Sequence, residues 1–276
     1  MKVSSILLVW TACLLTPSPT SANESPFLYG IHDHDTNPQP FLDRIAAGAA
    51  TGWVTATVAI GSDPNNRGGD DFSSIANQGH TVIVRLNNGY CPDGTIPPPS
   101  KYADFARRAA NYVAASRGAN IWVIGNETNL PWEWPAVNGH AAYVSPQNYA
   151  SLFRLVYDEI KKVRPDAKVI PQALAPFAGP LSAGSTCGVT HDALPLNWVQ
   201  YMKAMLTAIK ATGPLDGIAV HLTSRGYTYD AIHSTQKVNA AGQDLYFSFY
   251  VYKDWVNLGI PQELYHLPLY ATESNG

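Results

Sequence analysis

IWVIGNE, Ile121–Glu127, is an unbroken apolar run that ends in a glycine, an amide and a carboxylate. Such a run, with turn chemistry behind it, reads as a strand covered on both faces, as in a parallel sheet. A carboxylate at the end of such a strand is costly unless it is hydrogen-bonded or put to use. Six other stretches share the form: Phe27–His32, Trp53–Gly61, Thr81–Asn88, Ala167–Leu174, Gly217–Leu222 and Leu267–Glu273. Between them the period changes to that of amphipathic helices. The pattern predicts helices over Pro40–Ala50, from Ser100 as N-cap to Gly118, from Ser145-Pro146 to Pro165, over Leu196–Gly213 and over Gln243–Gly259.

Strand and helix alternating along one chain mean an α/β domain around a parallel sheet. A doubly wound sheet would carry a Gly-rich phosphate turn after its first strand, and the sequence has none. Polar residues instead gather just past the strand ends, which favours a (β/α)8 TIM barrel. The sequence stops three residues past Glu273, so the barrel is expected to be truncated before strand eight, with its first and seventh strands unpaired at their edges.

The N-terminal stretch MKVSSILLVWTACLLTPSPTSA has a lysine, an apolar run over Ile6–Leu15 and small residues at Thr20-Ser21-Ala22. It is expected to be a signal peptide over 1–22 of a secreted protein, leaving one catalytic barrel domain over 23–276. Cys13 falls within it, in a poor lipoprotein context. After cleavage Cys91 and Cys187 remain, and export predicts that they pair as a disulfide. No other segment is apolar enough to span a membrane, so no membrane association is expected after cleavage. Charged residues make up 14% and the net charge is -3, with no basic stripe, which argues against nucleic acid as a partner. The 7 Trp and 15 Tyr suit neutral, flat ligands such as sugars, and a monomer is expected.

In a barrel, residues past the strand ends point into one bowl. Those residues are His32, Asp33, Arg85, Asn87, Asn88, Asn126, Glu127, Gln172, His221 and Glu273. Glu127 and Glu273 end strands four and seven, which lie across the mouth from each other. Two carboxyl groups facing across a sugar can cleave a glycosidic bond, one as acid and one as nucleophile or base. Trp132 and Trp134 follow Glu127, and Tyr227 and Tyr229 follow His221, as candidate walls for sugar rings.

Asn126-Glu127 at the end of strand four, with Glu273 at the end of strand seven, resembles clan A of the retaining glycoside hydrolases, the so-called 4/7 superfamily. The resemblance implies a (β/α)8 fold, a carbohydrate substrate, Glu127 as general acid/base and Glu273 as nucleophile. It implies that Asn126 binds the hydroxyl beside the reacting carbon, and that His221 serves near strand six. The clan's aromatic platform on strand eight has no counterpart in this sequence. No cofactor is implied. His32, Asp33, Arg85, Asn87, His221, Trp132, Trp134 and Tyr227 are the expected substrate-binding residues. Asn126-Glu127-Thr128 also spells a glycosylation acceptor, which a site on the barrel floor would make inaccessible.

Two other readings remain open. His32 and His34 form the His-x-His of an amidohydrolase-like, metal-dependent barrel, with Glu127 and His221 as further ligands. That scheme wants a histidine on strand five, where Gln172 stands, and gives Glu273 no task. A non-catalytic carbohydrate-binding barrel is the third.

Overall fold

The computed structural model describes residues 30–32, 40 and 51–275. The expected signal peptide with Cys13, most of the first helix, and Asp33, His34 and Asp35 lie outside the described residues.

In chain order the strands are β1 (Gly30–His32), β2 (Trp53–Ala59), β3 (Thr81–Asn87), β4 (Ile121–Ile124), β5 (Ala136–Val137), β6 (His140–Ala141) and β7 (Lys168–Pro171). They continue with β8 (Gly184–Thr186), β9 (Val189–His191), β10 (Ile218–Thr223), β11 (Lys237–Ala240), β12 (Gln243–Tyr246) and β13 (Leu269–Asn275). Five form a parallel sheet in the order β1-β2-β3-β4-β7, and β10 pairs with β13, also in parallel. These seven are the strands predicted from the apolar runs. Asp216 links the two groups: its backbone N–H donates to Val169 O at 3.2 Å, and its carboxylate accepts from Val169 N–H at 2.9 Å.

Side chains alternate across each strand. Ile83, Ile121, Val123, Ile170 and Ala219 pack in one cluster with Trp53 and Tyr270, so one face of six parallel strands meets a shared interior. The other face, with Val54, Val84, Trp122, Val169 and Val220, joins the main core beneath the helices. In β3 this alternation puts Ile83, Arg85 and Asn87 on the inner face.

The long helices follow their sequence signals. Ser145 Oγ accepts from Asn148 N–H at 3.1 Å and caps Pro146–Val163. Asn197 and Gln200 form a reciprocal capping box at the start of Trp198–Thr212. Tyr102–Ala115 differs slightly: Ser100 lies inside a 3-10 turn, Pro99–Lys101, and the N-cap is Lys101. The helix expected over Gln243–Gly259 is a correction. Its first residues form β12, hairpinned to β11 through Ala241 and Gly242, both at positive φ. Only Val251–Asp254 is α-helical, with a π turn over Trp255–Gly259. The two-residue turn Ala241-Gly242 closes the hairpin, with Gly242 N–H donating to Asn239 Oδ1, and this local turn chemistry prevails over the helical stripe. Among the described residues no helix is long and apolar enough to cross a membrane.

Candidate active site

The chain leaves β4 through a tight turn. Gly125 has φ +77° and Glu127 φ +43°. The left-handed region costs a residue with a Cβ about 1–3 kcal/mol, and it persists where surroundings enforce it. Here Glu127 N–H donates to Ala173 O at 3.0 Å, and Thr128 N–H donates to Gln172 Oε1 at 3.1 Å. Gln172 is wholly buried and braces this turn rather than facing a ligand.

Glu273 depends on a different irregularity. Tyr270 packs inward, and three residues further along a regular strand the side chain would face outward. The register between β10 and β13 slips after Val220, so that His221 stands opposite Glu273 instead of Thr272. This β-bulge returns Glu273 to the inner face.

Glu127, His221 and Glu273 each bring one donor atom to within 4.8 Å of the others. His221 is buried between the carboxylates: Nδ1 lies 2.6 Å from Glu127 Oε1, and Nε2 lies 3.7 Å from Glu273 Oε1. Arg85 donates through Nη1 to Glu273 Oε1 and, at 2.8 Å, to Asn126 Oδ1. Its Nε donates to Thr57 Oγ1 at 3.0 Å, and that hydroxyl also shares a hydrogen bond with His32 Nε2 at 3.0 Å. His32 Nδ1 comes within 3.7 Å of Glu273 Oε1. Burial pushes the Glu273 carboxyl up, but His221, Arg85 and His32 together outweigh it and hold the group below the usual carboxylate range.

The structure thus brings together His32, Arg85, Asn126, Glu127, His221 and Glu273. It corrects several substrate-binding expectations. Trp134 is 1% exposed and lies under its loop, its Nε1 donating to Thr128 O at 2.7 Å. Asn87 is also 1% exposed, closed off from solvent, with its Oδ1 unpartnered. Arg85 and His221 are buried; Arg85 donates to Glu273, Asn126 and Thr57, and His221 Nδ1 bonds Glu127 while its Nε2 makes no hydrogen bond among the described residues. Trp132 and Tyr227 remain exposed on the loops after β4 and β10, and Tyr229, also exposed, stacks on His233.

Two residues were not foreseen. Thr57 lies among β-branched neighbours in β2, where only its inward phase marks it. Glu133 lies in the turn Pro131–Glu133, where its carboxyl feels the charges of Glu127, Arg85 and Glu273. Burial pushes it up to about 7, with the charge of Glu127 adding to the effect.

The rim is built from loops. β5, β6, β9 and β8 form a small sheet from the segments after β4 and β7. Cys187, at the turn between β8 and β9, is disulfide-bonded to Cys91 after β3, as the sequence predicted.

No family model and no curated protein matches the sequence. Among solved structures, the chain is similar to a family 39 glycoside hydrolase from the gut symbiont Bacteroides cellulosilyticus WH2. The TM-score is 0.50 at 17% identity, over 89% of this chain and 48% of that one. It also aligns with a GH5_18 protein from Streptomyces cattleya in complex with Manb1-4GlcNAc, at TM-score 0.40 and 16% identity, over 68% of this chain and 47% of that one. A GH128 subgroup II endo-beta-1,3-glucanase from Sorangium cellulosum aligns at TM-score 0.37 and 15% identity, over 72% of this chain and 62% of that one. The chain therefore spans about half the length of the family 39 structure, and the likeness to it is one of fold.

Proposed function

We propose that the protein is a secreted, retaining glycoside hydrolase of clan A, built on a (β/α)8-type barrel. The observation that carries this reading is the approach of Glu127 and Glu273, with carboxylate oxygens within 4.8 Å. Retaining enzymes hold their carboxyl groups about 5–5.5 Å apart, whereas inverting ones leave about 6.5–9.5 Å for a water. The inner cluster fed by six strands and the likeness of fold to a family 39 glycoside hydrolase support the barrel. The N-terminal signal pattern and the disulfide support export.

In the first step Glu127 gives its proton to the glycosidic oxygen while Glu273 attacks the anomeric carbon. The carbon–oxygen bond breaks and a glycosyl ester of Glu273 forms. In the second, Glu127 takes a proton from water, which attacks the same carbon and frees Glu273. Arg85, His221 and His32 keep Glu273 ionised for the attack. Asn126, oriented by Arg85, presents its amide N–H to the hydroxyl beside the reacting carbon. Trp132 and Tyr227 offer faces for flanking sugars.

The convergence of Glu127, His221 and Glu273 also favours a metal reading, since these donors could surround a cation. Against it, the nearest oxygen of Glu273 already accepts from the Arg85 guanidinium, whose charge would repel a bound cation. A panel of polysaccharides assayed with and without chelator separates the two. The hydrolase reading expects turnover that chelator leaves intact, and loss of turnover to chelator would favour the metal.

A further inference from the structure

Building on the hydrolase reading, we infer that Tyr90 is a specificity-determining residue: with Trp132 it forms an aromatic strip that holds the departing part of a glycan chain, beyond the bond that is cut.

Tyr90 stands at the tip of the loop after β3, and that loop is tied on three sides as well as within itself. Inside the loop Asn88 N–H donates to Thr95 O at 2.8 Å, Gly89 N–H to Gly94 O at 3.0 Å, and Asp93 N–H closes the tip on Tyr90 O at 2.7 Å. Toward the loop after β2, Asn88 Oδ1 accepts from Ser62 Oγ, while Asn88 Nδ2 donates to Asp93 O at 3.2 Å. Toward the loop after β4, Thr95 N–H donates to Glu133 O at 3.0 Å and Ala136 N–H to Pro92 O at 2.9 Å. These two loops press so closely that a Cβ at Gly94 would lie 2.5 Å from Pro135 N. Toward the rim sheet, Cys91 is bonded to Cys187.

The side chain so mounted has no partner. Tyr90 is 56% exposed, and among the described residues its hydroxyl makes no hydrogen bond and its ring meets no other ring or cation. Trp132, 44% exposed on the adjoining turn Pro131–Glu133, likewise has no ring partner among them. Single exposed apolar residues are ordinary on a protein surface. What sets this pair apart is that two bare rings share one braced strip at the catalytic rim. A face held this firmly loses little freedom when a ligand covers it, and the C–H faces of sugar rings suit it.

The place of the strip gives its side of the cut. Leu130 N–H donates to Glu127 O at 2.9 Å, so the turn that bears Trp132 begins at the acid/base. Glu273 comes from β13, in the other sheet. In the hydrolase reading Glu127 delivers its proton to the oxygen of the departing sugar. The strip leading outward from Glu127 over β4 and β3 therefore faces the departing part of the chain, with Trp132 nearest the cut and Tyr90 further out. A substrate gains from Tyr90 only when its leaving group has about two sugars or more, so the enzyme favours cuts inside a chain.

The test compares wild type, Tyr90→Ala and Tyr90→Phe as full chains, with thermal melts to show that each folds. The substrates are hexasaccharides of laminarin, xylan, mannan or cellulose, whichever the wild type cleaves, labelled at the reducing end, and the nitrophenyl glycoside of the same sugar. In Tyr90→Ala the ratio of kcat/KM on the hexasaccharide to that on the nitrophenyl glycoside should fall by about fivefold. Tyr90→Phe, which keeps the ring, should hold the ratio within about twofold of wild type. The labelled products of Tyr90→Ala should also be shorter, because a chain that loses its hold beyond the cut binds with fewer sugars on that side. An unmoved ratio, or labelled products that stay the same or lengthen, would overturn this inference and leave the hydrolase reading standing. A wild type that cleaves none of these glycans would remove the hydrolase reading, and this inference with it.

Discussion

The Arg85 guanidinium is buried on the inner face of β3 and meets Glu273, Asn126 and Thr57 at once. An unpaired buried guanidinium would be costly, so its partners are part of the fold as well as of the site. If it holds Glu273 ionised, Arg85→Met should raise the acid limb of kcat/KM by about one pH unit, because the carboxyl loses a cation that lowered it. An unmoved acid limb would refute that role. Glu273→Gln should lower kcat by on the order of 10⁴-fold, and azide should restore a reaction in Glu273→Gly with inverted product. Full turnover in the Gln variant would remove Glu273 from the chemistry. Both glutamates were legible in the sequence because a carboxylate after an apolar run stands out. Thr57 was not, because a threonine among β-branched residues reads as strand composition. Glu133 was not, because its place depends on a loop path set by Thr95.

Among the elements, the β-bulge after Val220 and the positive φ of Glu127 aim the two glutamates, and neither shows in residue periodicity. Regular alternation would have sent Glu273 to the outer face. The helices were easier to read, since their caps are local chemistry: Asn197→Ala should destabilise by about 1–2 kcal/mol in urea unfolding, and an unchanged midpoint would contradict the capping box. The segment after Tyr229 misled because its aromatic residues suit a helix stripe and a strand equally. The rim sheet of β5, β6, β8 and β9 is built of two- and three-residue strands, too short to leave a pattern. Its anchor is the Cys91–Cys187 bond, which bridges a separation of 96 residues. Cys187→Ser should cost about 2–5 kcal/mol, read as a lower Tm that added reductant no longer shifts. A Tm equal to that of the oxidised wild type would contradict the bracing role.

Across the whole molecule, seven parallel strands were legible because each reads as one apolar word, and β3, β4 and β7 are buried on both faces along nearly all their length. Their curvature was not, since it arises from twist and from interior packing of residues such as Trp53 against Tyr270, in β2 and β13. That curvature brings residues from the ends of β4 and β13 together over an Arg on β3. The account stands on their joint action on one glycosidic bond by double displacement. Proton NMR of the first sugar released, before mutarotation, tests this most directly. The account predicts a product with the same anomeric configuration as the substrate. A product of opposite configuration would contradict it.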